Sequence, residues 1–203
     1  MSDHPCPGPD DRTKALVHFL VQQCPVPMVI DADGLNNLAG HRKILKNRKA
    51  DIILTPHPGE MTRLTGTTPK DVQKNRVDCA RKFAAEFNVH VILKGARTLI
   101  AHPDGHTYIS LTGNPGMASG GMGDVLTGMV AGFISQGYPP QTAAHLAVFL
   151  HGRAADNLSL SKGPYGYIAS DVMDTIPAVI SDLAGQMPYQ APHIFHPPVT
   201  ELL

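Results

Sequence analysis

Three short apolar runs, "PMVI" (27–30), "DIIL" (51–54) and "VHVILKG" (89–95), alternate with stretches of helical periodicity, and this alternation constrains the fold more than any other feature. Strands of this kind, separated by helix-length segments, pair in parallel and call for helices packed against the sheet. The intervening segments supply them. "DRTKALVHFLVQQC" (11–24) sets apolar residues at 16, 17, 20 and 21 on one helical face, and residues 36–47 read as a second helix. Residues 68–87 read as a third, with Pro69 in the first position and Asp71 in the first turn. The expectation is an α/β fold, a three-layer sandwich around a mostly parallel sheet.

Beyond "VHVILKG" the pattern changes. "TLIAHPDGHTYISL" is two short strands joined through the Asp104-Gly105 turn signal, a hairpin that adds antiparallel strands at one edge. A glycine-rich stretch then leads into a helix with Val125, Leu126, Met129, Val130, Phe133 and Ile134 on one side, and "AAHLAVFLHGRAADNL" (143–158) is apolar enough to be a buried helix. A last helix is expected to begin with Ser170 as its N-cap. Residues 1–186 read as one domain, and 187–203, with four prolines, as a tail that docks on a neighbour or stays mobile.

Composition narrows the function classes. Seventeen basic residues balance seventeen acidic ones, which argues against a polyanion-binding surface, so no nucleic-acid partner is expected. Cys6, Cys24 and Cys79 are too few and too scattered for a disulfide framework or a metal site, and a reducing cytoplasm is the expected location. No apolar run approaches the roughly 18 residues a membrane span needs, so no membrane partner is expected.

The chemistry gathers in loops after strands. "GNPGMASGGMGDVLTG" (113–128) opens a helix with flexible backbone: Gly120, Gly121 and Gly123 let several amides converge where the helix dipole is positive, with Asp124 beside them to take a proton from an attacking hydroxyl. The same glycines also suit a plain tight turn, with Asp124 as an N-cap. "TPHPGE" (55–60) reads as a polar turn that offers His57 and Glu60 to a crevice at the strand end, or merely punctuates the chain. "VIDADGLNNLA" places Asp31 and Asp33 at another strand end, to orient a metal-bound phosphate or to cap a helix. "LKGART" sets Lys94, Arg97 and backbone amides where phosphate or adenine contacts are useful.

Taken in order, "VIDADGLNNLA", "ILTPHPGEMTRLTG", "VILKGARTLIA", "GNPGMASGGMGDVLTGMVAGFISQG", "AVFLHGRAAD" and "IASDVMDTIP" resemble the ADP-dependent NAD(P)H-hydrate dehydratase family, over roughly residues 7–177. The resemblance implies a ribokinase-like fold and a metabolite-repair reaction: dehydration of the S epimer of hydrated NADH or NADPH at the expense of ADP, or ATP in some members. It also implies roles for individual residues. Asp124 becomes the base, the Gly121 to Gly123 amides the anion hole, and His57, with Asp124, the hydrate-binding group. Lys94, Gly95, Ala96, Arg97 and Thr98, together with Gly123, become the adenine-nucleotide site. Magnesium accompanies the nucleotide, with Glu60 and Asp33 as candidate ligands acting through water. A homo-oligomer, with a tetramer as one form, and a functional link to an NAD(P)H-hydrate epimerase are implied as well.

Members of that family carry further strands and a hydrate-binding glycine ahead of a "GPGLG" motif. Here "CPGPD" is followed at once by the Asp11 helix, so the first part of the sheet is expected to be absent. A small-molecule kinase of the same fold, acting on a vitamin precursor, shares the glycine stretch and its aspartate. A truncated nucleotide-binding module without turnover is the third reading.

Overall fold

A computed structural model describes residues 9–186. Its strands, β1 (Met28–Ile30), β2 (Ile52–Leu54), β3 (His90–Leu93), β4 (Leu99–Ala101) and β5 (Thr107–Ile109), form a five-stranded open sheet in sequential order. β1, β2 and β3 pair in parallel, while β4 is antiparallel to both β3 and β5. The sheet is therefore mostly parallel, and its antiparallel part is the expected hairpin at the β5 edge.

Alternation along each strand divides the core into two layers, because successive side chains point to opposite faces. Ile52, Leu54, Val91, Leu93, Leu99 and Ala101 pack with α1 (Pro9–Gln23), α2 (Ala32–Leu38), α3 (Pro58–Thr65), α4 (Pro69–Lys74) and α5 (Arg76–Phe87). Ile53, Ile92 and Ile100 face the other way, onto Leu126 and Val130 of α6 (Met122–Ser135) and Ala144, Ala147 and Val148 of α7 (Pro140–Ser161). The last helix, α8 (Ala169–Gln186), adds Val172 and Val179 to an outer cluster with Leu150 and Leu158 of α7. The three-layer expectation holds.

Several local expectations do not. Residues 36–47 are not one helix: α2 begins earlier, at Ala32, Ala39 leaves the helical region (ψ 130°), and Arg42–Asn47 forms a separate 3-10 turn. Residues 68–87 are likewise two helices, broken where Asn75 adopts φ −129° and ψ 43°. Thr68 does cap the first of them, its hydroxyl accepting from the Asp71 amide at 3.2 Å. Ser170 is not an N-cap but lies in the first turn of α8, where Asp171 instead accepts from the Ile168 amide at 2.9 Å. The proline-rich tail, 187–203, lies outside the described residues.

α7 passes close to the chain that leaves β5. A Cβ on Gly152 would stand 2.7 Å from the Thr112 carbonyl carbon, and backbone at that distance has nowhere to move cheaply. Gly152→Ala is expected to destabilise the protein by about 1–3 kcal/mol in urea unfolding. A change within about 0.5 kcal/mol of zero, typical of an unconstrained surface site, would show that this contact does not limit α7 packing.

Candidate active site

Because β1, β2 and β3 run in parallel, their carboxyl ends open on the same side of the sheet, where ligands gather in folds of this kind. The residue after β1, Asp31, is the centre of the arrangement. Its Oδ1 accepts from Lys94 Nζ at 2.7 Å and from the Ala32 amide at 2.9 Å, and its Oδ2 accepts from Thr127 Oγ1 at 2.9 Å. The two charged side chains are 11% and 19% exposed, so water screens this pair little. Burial pushes the Asp31 carboxyl up, but the hydrogen bond and charge of Lys94, with Thr127 and Ala32, outweigh it and hold the carboxyl below its ordinary 3.8. Asp31 therefore stays an anion and keeps Lys94 fixed. Lys94 Nζ also stands 3.9 Å from Glu60 Oε2.

"TPHPGE" folds as the start of a helix rather than as a turn. His57 caps α3: its Nδ1 accepts from the amides of Gly59 and Glu60 at 2.9 and 3.3 Å, and Glu60 Oε2 accepts from the His57 amide at 2.7 Å. A neutral imidazole that accepts at Nδ1 carries its proton on Nε2. The His57 side chain is half exposed, and its Nε2 stands 3.4 Å from Glu60 Oε1, so His57 offers one N–H donor beside a buried carboxylate.

The glycine stretch prepares a different helix start. Gly121 takes the N-cap position of α6 with φ 84°, in the left-handed region open to glycine, and no side chain caps this helix. The first intrahelical bond runs from the Val125 amide to the Gly121 carbonyl at 3.0 Å, so the preceding amides are left for another acceptor. Asp124 is not the cap; it lies in the first turn, exposed, with no hydrogen bond or ion pair to any other described residue. A Cβ on Gly123 would lie 3.3 Å from Lys94 Nζ and 3.7 Å from Asp31 Oδ2, which sets the α6 terminus directly against the ion pair.

Beside this junction lies a cavity of about 510 Å³. Lys94, Gly95, Ala96, Arg97 and Thr98 line it together with residues 110–115, Met122, Gly123 and part of α7. Lys94 and Gly123 thus belong both to the cavity and to the polar cluster, whereas His57, Gly121 and Asp124 are not among the cavity walls. Arg76 holds the 94–98 loop in shape, donating to the carbonyls of Ala96 at 2.6 Å and of Leu93 and Lys94 at 3.3 Å. Burial pushes its guanidinium pKa down without a compensating carboxylate. Asp156 accepts from the Gly113 amide at 3.0 Å and from Asn114 Nδ2 at 3.1 Å, tying the loop before α6 to α7.

Asp33 stands apart, accepting from Asn36 Nδ2 at 3.2 Å within α2, and it is Asp31 that caps that helix. Sequence reasoning missed Thr127, Arg76 and Asp156. Thr127 and Asp156 lie inside quoted motifs, "GMGDVLTG" and "HGRAAD", and could have been found there; Arg76, at the start of a surface helix, gave no signal.

The family model described as NAD(P)H-hydrate dehydratase matches residues 8–178. The chain belongs to the NAD(P)H-hydrate dehydratase family. The bifunctional NAD(P)H-hydrate repair enzyme Nnr of Moorella thermoacetica is 47% identical over 174 residues, 86% of this chain but 33% of its own length. The ADP/ATP-dependent NAD(P)H-hydrate dehydratase of Bacillus subtilis, co-crystallised with ATP/Mg2+ and soaked with CoA, superposes with a TM-score of 0.72 at 35% identity, covering 80% of this chain and 58% of that one. A ribokinase-like superfamily protein of Enterococcus faecalis superposes with a TM-score of 0.71 at 25% identity, over 88% and 61% of the two chains. The fold is thus ribokinase-like, and the chain spans about a third to three-fifths of these relatives.

Removing the Lys94 charge tests the cluster. Lys94→Met leaves Asp31 buried without its counter-ion, and a loss of about 3 kcal/mol at neutral pH is expected in urea unfolding. The sign follows from linkage: a carboxyl held low in the folded state contributes stability above its unfolded value and loses it as pH falls. The gap between wild type and variant should therefore narrow below pH 3.8. A pH-independent gap would mean that the lysine acts through packing alone.

Proposed function

We propose that this site performs nucleotide-dependent dehydration of hydrated NADH or NADPH, acting on the S epimer and releasing AMP and phosphate when ADP is the donor. The observation that carries this reading is the uncapped N-terminus of α6, set against the Asp31–Lys94 pair at the end of a cavity shared by residues 94–98 and Gly123. Family membership and a relative crystallised with ATP/Mg2+ support it.

In this reading the nucleotide occupies the 94–98 wall, with its terminal phosphoryl group over the amides of Gly121, Met122 and Gly123. Those donors are already in place before reaction, so they stabilise charge that develops during transfer without reorganising. Lys94 adds a cation whose position Asp31 fixes. Asp124, free of internal partners, takes the proton from the ring hydroxyl of the hydrate as its oxygen attacks the phosphorus. The P–O bond to the donor breaks and AMP leaves. Loss of phosphate from the phosphorylated ring carbon, with release of a proton from the adjacent ring carbon to water, then restores the double bond, because phosphate departs far more readily than hydroxide. His57, half exposed and with its Nε2 proton beside Glu60, serves as a donor to the hydrate.

Magnesium fits as a companion of the nucleotide rather than as a resident ion. Among the described residues no group of three histidine, cysteine or carboxylate side chains is placed to hold a metal, while Glu60 offers a carboxylate beside Lys94. A hard cation carried on phosphate oxygens needs only one or two such contacts, through water, and would neutralise phosphate charge there. Asp33 serves α2 instead. No described helix is long and apolar enough to cross a membrane, and we take the chain to act in the cytoplasm as a homo-oligomer, functionally linked to an NAD(P)H-hydrate epimerase.

Two measurements test the proposal. NADPH hydrate incubated with ADP and Mg2+ should regain absorbance at 340 nm with one phosphate released per NADPH formed; ADP consumption without that rise, or phosphorylated vitamin precursor accumulating instead, would redirect the assignment to a kinase. Asp124→Asn should lower the rate by roughly 10²–10⁴-fold while AMP affinity changes little. Loss of AMP binding in that variant would remove Asp124 from the role of base.

A further inference from the structure

Two loops supply much of the cavity lining, and a loop that is not tied down opens at little cost. Arg76 ties the first, residues 94–98, through the carbonyls of Lys94 and Ala96. The second contributes Gly113, Asn114, Pro115, Met117 and Ala118, and its regular structure is a single 3-10 turn, Pro115–Met117. Asp156 of α7 ties this one. The carboxylate is half-buried, has no ion pair with any other described residue, and is not itself among the cavity-lining residues.

Both oxygens of Asp156 go to the second loop, Oδ2 accepting from the Gly113 amide and Oδ1 from Asn114 Nδ2. The other end of the Asn114 amide turns back on the loop, its Oδ1 accepting from the Gly116 amide at 3.0 Å and from the Tyr167 hydroxyl. An ionised carboxylate only accepts, so Asp156 dictates which way the Asn114 amide faces. Turned over, Asn114 would set its NH2 against the Gly116 N–H, donor against donor. Nor can the loop slide to avoid this: a Cβ on Gly116 would stand 2.6 Å from both the Pro164 carbonyl oxygen and Tyr167 Oη, so backbone and ring are already in close contact there.

We infer that Asp156 is a positioning residue for the nucleotide site: by fixing the Asn114 amide, it holds residues 113–118 in the shape that receives the nucleotide. This rests on the nucleotide site proposed above and deepens it. A loop held in its bound shape spares the ligand the entropy of ordering it, so the effect falls on affinity. The chemistry of bound nucleotide is set elsewhere, by the α6 terminus that Gly123 packs against the Asp31–Lys94 pair.

The test compares the full chain with Asp156→Ala, Asp156→Asn and Tyr167→Phe, by calorimetric titration with AMP and by dehydration assays with ADP varied at saturating NADPH hydrate. In Asp156→Ala the AMP dissociation constant and the KM for ADP should rise together by about tenfold, the scale of one lost hydrogen bond to a charged group. Its kcat at saturating ADP should fall by less than about twofold, and the KM for the hydrate should stay unchanged. Asp156→Asn keeps one oxygen to accept from Asn114 and should recover part of the affinity. Tyr167→Phe keeps the buried ring, removes one donor to Asn114, and should weaken AMP by about threefold. A lower melting temperature of Asp156→Ala with unchanged AMP affinity would overturn the inference, leaving Asp156 a fold anchor alone; so would a fall in kcat with unchanged KM for ADP. If Asp156→Ala does not fold, AMP affinity at the wild-type level in both other variants overturns it. The titration needs no turnover, so a chain inactive on the hydrate still tests Asp156, whereas wild type that binds no AMP overturns the nucleotide site and the inference with it.

Discussion

One carboxylate holds the site together. Asp31 receives Lys94 from the end of β3, Thr127 from the second turn of α6 and the first amide of α2, so three elements from both faces of the sheet meet on two oxygen atoms. Charge and hydrogen bonding here outweigh the cost of burying the anion. Because Gly123 packs against the same pair, the α6 terminus is fixed relative to Lys94 by contact as well as by chain connectivity.

This arrangement shows how a small sheet gathers the groups of the proposed phosphoryl-transfer site. Parallel strands deliver Asp31, His57 with Glu60, and Lys94 to one edge, and the hairpin of β4 and β5 turns the chain back so that residues 110–115, Met117, Ala118, Met122 and Gly123 line the cavity beside Lys94. The helix ends then divide the work. Asp31, His57 and Thr68 cap α2, α3 and α4 with side chains, while α6 alone among these leaves its first amides unspent. α5 and α7 lack a side-chain cap as well, but it is α6 whose first turn stands against the Asp31–Lys94 pair.

Much of this was legible in the sequence because it follows from periodicity. Apolar strands separated by helical segments specify the layers, and Asp104-Gly105 marks the hairpin. The motif "TPHPGE" read as a polar turn, either functional or mere punctuation, and not as a helix, since histidine is not among the favoured N-caps and its Nδ1 is seen to cap only once the loop is folded. The pairing of Asp31 was not readable either. Its partners lie 63 and 96 residues away, and at that range sequence says that a carboxylate stands at a strand end without saying which cation or hydroxyl it meets. The breaks at Ala39 and Asn75 escaped for the opposite reason: single backbone departures leave the apolar pattern on either side undisturbed.

In the proposed function, residues 94–98 and the amides of Gly121, Met122 and Gly123 form one nucleotide site, joined through Lys94. Backbone amide NMR during a titration with ADP measures this directly. The account predicts that resonances from both segments shift together with a common midpoint, and that phosphate alone moves those of α6 while leaving Ala96 and Arg97 in place. Shifts confined to one segment, or two separate midpoints, would contradict it.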